Sequence, residues 1–417
     1  MIDVDDLCAG YGGEDIIREI AFGAGKGEFV GIIGPNGSGK TTLLKAISRV
    51  LDISGGVVTL EDRALKDFGQ KELARVVSVV PQETAMNFSY TVTDIVMMGR
   101  FPHKERFAKE DADDYRIVRE AMEVTNVAHL KDRKVTEISG GERQRVIIAR
   151  ALAQEPKVIL LDEATSHLDI NHQVEILSII RDLGDTVTKI GVFHDLNLAA
   201  EFCDRIVLMS GGRIRAIGTP AEVLTMEHLR DEYGITAMVQ TNPVTGRPLV
   251  TPLSEGVPPA LCGAHVHLIS GGGTGAGLMY TLAAAGCILT AGVLSPMDSD
   301  YMAASRLDIP CITVPAFAPI TSAVCYALGA YLDEADVVIL TAMPVGEGNL
   351  PNIRALTRAR CSQLVLYMPP GEEFTDCTPA GDCSYLAAIQ AAGCPVVSSR
   401  SSLYAEVEKL IDSRKKV

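Results

Sequence analysis

The stretch "GEFVGIIGPNGSGKTTLLKAISRVL" (27–51) decides the fold of the first part of the chain. It opens with an apolar run typical of a buried strand, continues through the pattern G-x-x-x-x-G-K-[ST], and ends as a helix. In that context backbone N–H groups surround phosphate, the Lys40 ammonium neutralises its oxygens, and the Thr41 hydroxyl holds Mg²⁺. The stretch therefore predicts a P-loop in an α/β domain. The residues expected to contact ATP here are Asn36, Gly37, Ser38, Gly39, Lys40, Thr41 and Thr42.

The bulk composition limits the classes of protein to which this chain can belong. It has 417 residues, too many for one ordinary domain, and its 47% hydrophobic and 22% charged residues fit a folded globular protein. The net charge of −15 argues against nucleic acid as a partner, because phosphates would be repelled. The acidic start "MIDVDDL" contains no apolar run, so we expect no signal peptide, and we expect the ten Cys to be reduced thiols.

Two long stretches without charged residues need an explanation. Neither 266–297 nor 310–331 contains Asp, Glu, Lys or Arg. Each is long enough to span a membrane, but Gly, Pro, Ser and Thr interrupt both. A buried strand followed by a buried helix explains them better, because parallel strands covered on both faces are apolar throughout.

The stretch "KVILLDEA" (157–164) places two carboxylates at the end of an apolar strand. We expect Asp162 to reach the metal ion and Glu163 to act as general base toward the attacking water. Acidic strand ends are common in α/β proteins, so this pattern is informative only together with the P-loop.

The stretch "EISGGERQRVIIARAL" (137–152) makes the assignment specific. Ser139, Gly140 and Gly141 lead directly into a helix, whose N-terminus is a second anion site. A second phosphate site in one domain makes sense if two copies face each other and each completes the other's pocket. Here the sequence resembles the ATP-binding subunits of ABC transporters, whose signature motif this is, over roughly residues 1–253.

The resemblance implies an ATPase domain with a helical subdomain, and it gives roles to further residues. Tyr11 matches the aromatic residue that stacks on adenine, and Gln82 matches the glutamine that binds the metal and senses the nucleotide. Residues 166–169 match the D-loop, with Asp169 at the ATP site, and His194 matches the switch histidine at the γ-phosphate. The implied catalytic residues are Glu163, His194 and Lys40, and the implied metal ligands are Thr41, Gln82 and Asp162.

Two positions depart from the family pattern. Ala164 stands where the family usually has proline, and Glu142, which we expect at the ATP site, stands where glutamine is common. Neither change removes an atom that catalysis needs.

The arrangement of motifs narrows the kind of ABC protein. A single P-loop implies a working unit of two chains, and the absence of a membrane segment implies separate permease subunits, as in importers. The stretches 88–103, 168–177 and 239–250 resemble the ATPases of iron-chelate and vitamin B12 importers. The resemblance favours cobalamin or another corrinoid as cargo, with ferric siderophore or haem as the alternative. It also implies an extracytoplasmic substrate-binding protein and a position on the cytoplasmic face of the cell membrane.

Non-transport ABC ATPases form a second class of candidates. Those of DNA repair carry a long coiled coil before the signature motif, and those of translation carry two P-loops; neither feature is present here. Those of iron–sulfur assembly lack the likeness over 88–103. A neighbouring gene that encodes many transmembrane helices would support transport.

The second half of the chain alternates strands and helices. Six apolar strands, from "VHLIS" to "PVVSS", are separated by helical pieces, which predicts a second, doubly wound parallel sheet of Rossmann-like type. The Pro-rich segment 254–263 is expected to be a linker. The predicted domains are therefore 1–253 and 264–417, both α/β.

A second glycine loop, "LISGGGTGAGL" (268–278), follows the first of these strands. It fits the looser dinucleotide pattern, in which Ala276 replaces the last glycine, and Asp298 and Asp300 follow the next strand where a ribose-binding acid would lie. Three roles stay open: binding of a phosphorylated or corrinoid ligand, catalysis, or tight packing alone. The candidate ligand residues are Gly271, Gly272, Gly273, Thr274, Gly275 and Asp298.

The strand before this loop carries two alternating histidines. His265 and His267 lie on one face of it, and with Cys262 they are candidates to contact a metal or a corrinoid cobalt. The favoured interpretation is that they are polar residues of an edge strand.

Overall fold

A computed structural model describes residues 1–82, 89–105, 108–165, 168–252, 261–316, 318–356, 363–371, 374–375, 377, 389 and 393–415. The chain forms two compact units. The first comprises Met1–Tyr233 and Val239–Val250, and the second comprises Gly234–Met238 and Thr251–Val417. No helix in the described part of the chain has both the length and the apolar character needed to cross a bilayer.

The first unit contains two sheets. A four-stranded antiparallel sheet has the order β2-β1-β4-β5 and covers helix α1 with its apolar side. A six-stranded sheet has the order β10-β9-β3-β8-β7-β6 and is parallel except for β10. The strands are β1 (Ile2–Tyr11), β2 (Glu14–Ala24), β3 (Phe29–Ile33), β4 (Ile53–Leu60), β5 (Arg63–Ala64), β6 (Val77–Val80), β7 (Val158–Asp162), β8 (Thr188–Val192), β9 (Arg205–Ser210) and β10 (Arg213–Gly218).

The helices of the first unit include the helical middle expected from the sequence. They are α1 (Lys40–Ile47), α2 (Gln70–Val76), α3 (Val92–Met97), α4 (Ala112–Val124), α5 (Gly140–Ala153), α6 (Ile170–Arg181), α7 (Leu196–Phe202), α8 (Pro220–Val223) and α9 (Met226–Tyr233). Beyond them, β11 (Ala237–Thr241) pairs with β12 (Pro248–Pro252), as the Pro and Gly of the intervening turn predict. The strands β3 and β7 end at the P-loop and at the acidic pair, so the fold brings both motifs to one edge of the sheet.

A buried ion pair holds the helical middle together. Arg100 is 6% exposed; it donates to Oδ1 of Asp114 (3.1 Å) and to the carbonyl of Ala153 (2.8 Å), and so joins the segment after α3 to α4 and α5. Burial raises the pKa of Asp114, but hydrogen bonds from Lys104, the Asp111 backbone and Arg100 outweigh that effect and hold the pKa at about 2. The carboxylate is therefore ionised and paired with Arg100.

Replacing Asp114 with alanine should lower the free energy of unfolding of the first unit by about 1–3 kcal/mol, because Arg100 and Lys104 lose a buried carboxylate while Arg100 keeps its contact with Glu155 (2.7 Å). Differential scanning calorimetry of the full chain measures the effect as a lower Tm. Asp113→Ala is the matched control, since the Asp113 side chain is 82% exposed. Equal melting of the two variants would contradict a stabilising role for the pair.

The second unit is a six-stranded sheet of order β15-β14-β13-β16-β17-β18, parallel throughout. Counted within the unit this is the order 3-2-1-4-5-6 of a Rossmann-like fold, so the sequence prediction is confirmed. The strands are β13 (His265–Ile269), β14 (Ile288–Leu294), β15 (Cys311–Thr313), β16 (Val337–Thr341), β17 (Leu364–Tyr367) and β18 (Val396–Val397). The described helices are α10 (Ala276–Ala284), α11 (Ser299–Arg306), α12 (Ser322–Glu334), α13 (Leu350–Leu356) and α14 (Arg400–Lys415).

The structure corrects two expectations for this unit. Strand β13 lies at the centre of the sheet, so its histidines are not edge residues. His267 is fully buried, contacts Thr290 through Nδ1 (2.7 Å) and stacks on Tyr331; burial lowers its pKa to about 4, so the ring is neutral. Within the described residues no three His, Cys, Asp or Glu side chains are arranged to hold a metal ion. His265 and Cys262 are exposed, so they do not join the buried His267 in a metal site, and contact of either with a corrinoid cobalt stays a prediction.

The predicted linker falls mostly on residues 253–260, which lie outside the described residues. Leu261, which we assigned to it, is fully buried in the core of the second unit. Folded structure therefore resumes before the predicted boundary at residue 264.

Candidate functional site

The P-loop is fixed by the strand before it and by its lysine. Strand β3 is buried along its whole length, and Gly39, with φ of +96°, turns the chain into α1 in a conformation that favours glycine. Lys40 is 5% exposed, and its Nζ donates to the carbonyls of Gly34 (2.8 Å) and Pro35 (3.0 Å). Burial lowers the pKa of Lys40, and the charge of Glu163 opposes part of that shift. The loop thus holds a buried cation close to its backbone N–H groups.

One polar atom of this loop fits a bound phosphate. Ser38 is 2% exposed, and among the described residues its hydroxyl finds no hydrogen-bond partner. Buried hydroxyls are normally hydrogen-bonded, and an exception calls for an explanation. An anion in the loop would supply the acceptor, so the residues present fit a nucleotide phosphate.

The groups expected to hold Mg²⁺ lie together. Oγ1 of Thr41, in the first turn of α1, is 3.4 Å from Oδ1 of Asp162, at the end of β7. Burial and then the charge of Glu163 raise the pKa of Asp162, against the hydrogen bond from Thr41 and the charge of Lys45. A hydroxyl and a carboxylate are hard oxygen ligands of the kind Mg²⁺ binds, so this pair fits the ion.

Glu163 is the centre of a three-residue contact. Nε2 of His194, in the segment after β8, lies 2.6 Å from Oε1, and Nε2 of Gln82, after β6, donates to Oε2 (2.5 Å). The Glu163 side chain is 11% exposed, and its backbone has a φ of +51°, a left-handed conformation that costs energy in a non-glycine residue. Three separate strand ends therefore meet at one carboxylate.

Tyr11 lies at the end of β1 and is 49% exposed. Nζ of Lys45, one turn beyond the P-loop on α1, is 6.0 Å from the centre of its ring. An exposed ring beside the P-loop helix is available for stacking. Lys45 was not among the residues predicted at the site, and its position on α1 after Lys40 was the signal for it.

The signature segment begins helix α5. The Ser139 hydroxyl accepts from the N–H of Glu142 (3.2 Å), and the Glu142 carboxylate accepts from the N–H of Ser139 (2.8 Å), which forms a capping box. Hydrogen bonds to the carboxylate, first from the Ser139 backbone N–H and then from the Ser139 side chain, lower the pKa of Glu142. The N–H groups of Gly140 and Gly141 follow in the first turn. Among the described residues no hydrogen bond joins this segment to the P-loop of the same chain.

The D-loop prediction is only partly covered, since residues 166–167 lie outside the described residues. Asp169 caps α6 and accepts from the backbone N–H of His172 (3.0 Å), while Nδ1 of His172 lies 2.7 Å from its other oxygen. These two contacts, the backbone one first, lower the pKa of Asp169. His172 was not among the residues predicted at the site, although the spacing Asp-x-x-His at a helix start was a signal for it.

The sequence and the fold of this chain are similar to those of known proteins. Residues 17–166 match the family model described as ABC transporter. The cobalamin import ATP-binding protein of Halobacterium salinarum is 36% identical over 358 residues, which are 85% of this chain and 88% of that protein. The chain belongs to the ABC transporter family of ATP-binding proteins. As a member of that family it is an ATPase and binds nucleotide.

Other relatives of this ABC ATPase match a smaller part of it. The ferric enterobactin transport ATP-binding protein of Escherichia coli is 37% identical over 61% of this chain and 94% of its own length. The hemin import ATP-binding protein of Pseudomonas aeruginosa is 40% identical over 60% of this chain and 99% of its own. A metal-chelate type ABC transporter in an inward-facing conformation superposes with a TM-score of 0.54 at 30% identity, over 60% of this chain and 96% of that one.

The second unit of this ABC ATPase has a match of its own. Residues 289–404 match the model of the MJ0874 family. In the second glycine loop, Asp300 is fully buried, and its carboxylate accepts from the N–H of Ala276 (2.8 Å) and of Gly275 (3.1 Å). Asp298 accepts from the N–H of Gly272 (3.0 Å). The helix start that would cradle phosphate is therefore bonded to the protein's own carboxylates.

Burial raises the pKa of Asp300, and the charge of Asp298 adds to that effect, while hydrogen bonds to Asp300 oppose it. Thr274 bonds to Thr341 of β16 (2.6 Å), which ties the loop to the neighbouring strand. Ligand binding by this loop stays a prediction, and the N–H groups of Gly272, Gly275 and Ala276 already have carboxylate acceptors.

Proposed function

We propose that this ATPase powers the import of cobalamin or a related corrinoid through a separate membrane permease. One observation carries the proposal: similarity to the cobalamin import protein covers 85% of the chain and so extends well into the second unit. The siderophore and haem relatives cover 60–61% of it, which is about the share taken by the first unit.

Identity alone would favour haem, because the hemin import protein is 40% identical and the cobalamin import protein 36%. That identity is measured on a nucleotide-binding unit, which handles ATP and not the cargo. We give more weight to the shared second unit, since it separates the relatives by cargo. Ferric siderophore or haem import is the second candidate, and a non-transport role is the third.

The site suggests how the residues divide the work. Lys40 and the P-loop N–H groups hold the phosphates, and Tyr11 stacks on the adenine. Thr41, Asp162 and Gln82 would hold Mg²⁺, which supplies positive charge to the phosphate oxygens when bound. Glu163 takes a proton from the attacking water, and His194, already in contact with it, orients the γ-phosphate.

Relatives of this kind work with permease subunits and as paired cassettes at a membrane. We propose that this chain does so as a homodimer on the cytoplasmic face, together with an extracytoplasmic substrate-binding protein. The segment 88–103 is the proposed permease contact. Val92, Ile95 and Val96 are buried and Met97 is only 8% exposed, so they pack inside the helical subdomain. Phe101 is 60% exposed and is the better candidate for the contact.

Measuring the uptake of labelled compounds into membrane vesicles tests which cargo is imported. The full chain, reconstituted with its permease and supplied with ATP on the cytoplasmic side, should move labelled cobalamin in preference to haemin and a ferric siderophore. A matched preparation with Glu163→Gln should move none of them. Preferential uptake of haemin or siderophore would transfer the proposal to that cargo, and ATP hydrolysis without any uptake would favour a non-transport role.

The second unit is proposed to sense ligand rather than to hydrolyse ATP. We propose that the ligand binds at the carboxyl edge of the sheet, between the loops that follow β13 and β16, which is where folds with this strand order bind ligands. Calorimetric titration of the full chain with cobalamin, cobinamide, haem, NAD and ADP tests the idea. Corrinoid binding that persists in the Lys40→Ala variant would support a ligand-sensing second unit. If the chain binds only ADP, and Lys40→Ala abolishes that binding, the second unit has a packing role.

A further inference from the structure

Helices α5 and α6 are joined at their first turns. Gly141, in the first turn of α5, approaches the ring of His172, in the first turn of α6, so closely that a Cβ at Gly141 would lie 2.8 Å from Cγ of that ring. Such contacts are essentially never seen for a real Cβ, so a larger residue at this position would have to displace the His172 ring. One turn further along, Nη1 of Arg145 donates to Oε2 of Glu175 (2.7 Å).

The same histidine holds the D-loop carboxylate. Its backbone N–H and its Nδ1 contact the two oxygens of Asp169, at 3.0 Å and 2.7 Å. Because these hydrogen bonds keep Asp169 ionised, the ring N–H has a charged acceptor and the bond is of the stronger, charge-assisted kind. One side chain therefore packs on the signature segment and orients the D-loop.

We propose that His172 is a positioning residue that presents the signature segment and Asp169 to the nucleotide site of a second copy as one rigid unit. The inference rests on the proposed paired action of two chains. His172 contacts Gly141 and Asp169 and reaches the chemistry only through them. Neither is bonded to the P-loop of its own chain among the described residues. Loss of His172 should thus reduce turnover and leave each chain's own ATP binding intact.

Steady-state ATP hydrolysis by the purified full chain tests this role. His172→Ala should lower kcat by about 10- to 100-fold, the range that a small misplacement of a catalytic element costs, with KM for ATP and Tm unchanged. His172→Asn places an amide N–H where Nδ1 was, and it should recover most of kcat. His172→Phe keeps a ring against Gly141 but cannot donate to Asp169, and it should not. Val174→Ala, at a 42% exposed position on the same helix, is the control.

Unchanged kcat in His172→Ala would overturn the proposal. So would a fall in Tm that parallels the fall in kcat, or failure of His172→Asn to recover, because either result indicates a role in stability alone. A wild-type chain that binds ATP but never pairs would overturn the proposed paired action and this inference with it. Light scattering with ATP separates that case, since a pairing wild type with a normal His172→Ala contradicts the inference only.

Discussion

Replacing Glu163 with glutamine is expected to lower kcat for ATP hydrolysis by about 10²–10⁴-fold while ATP binding is kept. The amide preserves the size and the hydrogen-bonding reach of the side chain but cannot take a proton from water. The contacts explain why binding should survive. Glu163 meets His194 and Gln82, whereas the P-loop lysine is held by the carbonyls of Gly34 and Pro35.

Single-turnover hydrolysis and calorimetric ATP titration on the same preparation separate the two effects. Glu120→Gln is the matched control, because Glu120 is a partly exposed residue of α4 that pairs with Arg116. Wild-type turnover in Glu163→Gln would assign the base to another group, and loss of ATP binding would show that the carboxylate supports the loop instead.

Replacing Lys40 with alanine is expected to weaken ATP binding by about 30- to 4000-fold, which corresponds to the 2–5 kcal/mol lost when one member of a buried charge pair is removed. The ammonium is 5% exposed, so water cannot take its place beside the phosphates. Its two carbonyl acceptors would also lose their donor, and the loop would lose part of its preorganised shape.

Fluorescence or calorimetric titration with ATP measures the loss, and a melting curve confirms that the variant folds. Lys26→Ala, at an exposed position before β3, is the control for the change in net charge. Tight ATP binding by a folded Lys40→Ala variant would contradict the assignment of the P-loop.

Sequence reasoning identified the nucleotide unit because its chemistry is carried by short motifs with fixed spacing. The P-loop, the acidic strand end and the signature segment each bind through backbone N–H groups or charged side chains, so residue type and order reveal them. Contacts across the fold were not readable in this way. The contact between Gly141 and His172 was hidden because it depends on which helices pack side by side.

In the second unit, too, the single elements were predictable from the sequence, whereas the position of one strand in the sheet was predicted wrongly. All six strands were predictable, since strands covered on both faces are apolar along their length. The Rossmann-like order places the first strand of the unit at the centre of the sheet, and β13 was wrongly expected at an edge.

The carboxylate of Asp300 competes with any external anion for the backbone N–H groups at the start of α10. A phosphate that approached Gly275 and Ala276 would have to displace a carboxylate that belongs to the same chain and is already in contact with both N–H groups. It would also meet like charge from Asp298 and Asp300. A ligand that offers hydrogen-bond donors or positive charge meets no such competition. The spacing of glycines indicates that the backbone N–H groups of a loop can bind an anion. Whether those N–H groups are free to do so depends on the neighbouring acidic side chain.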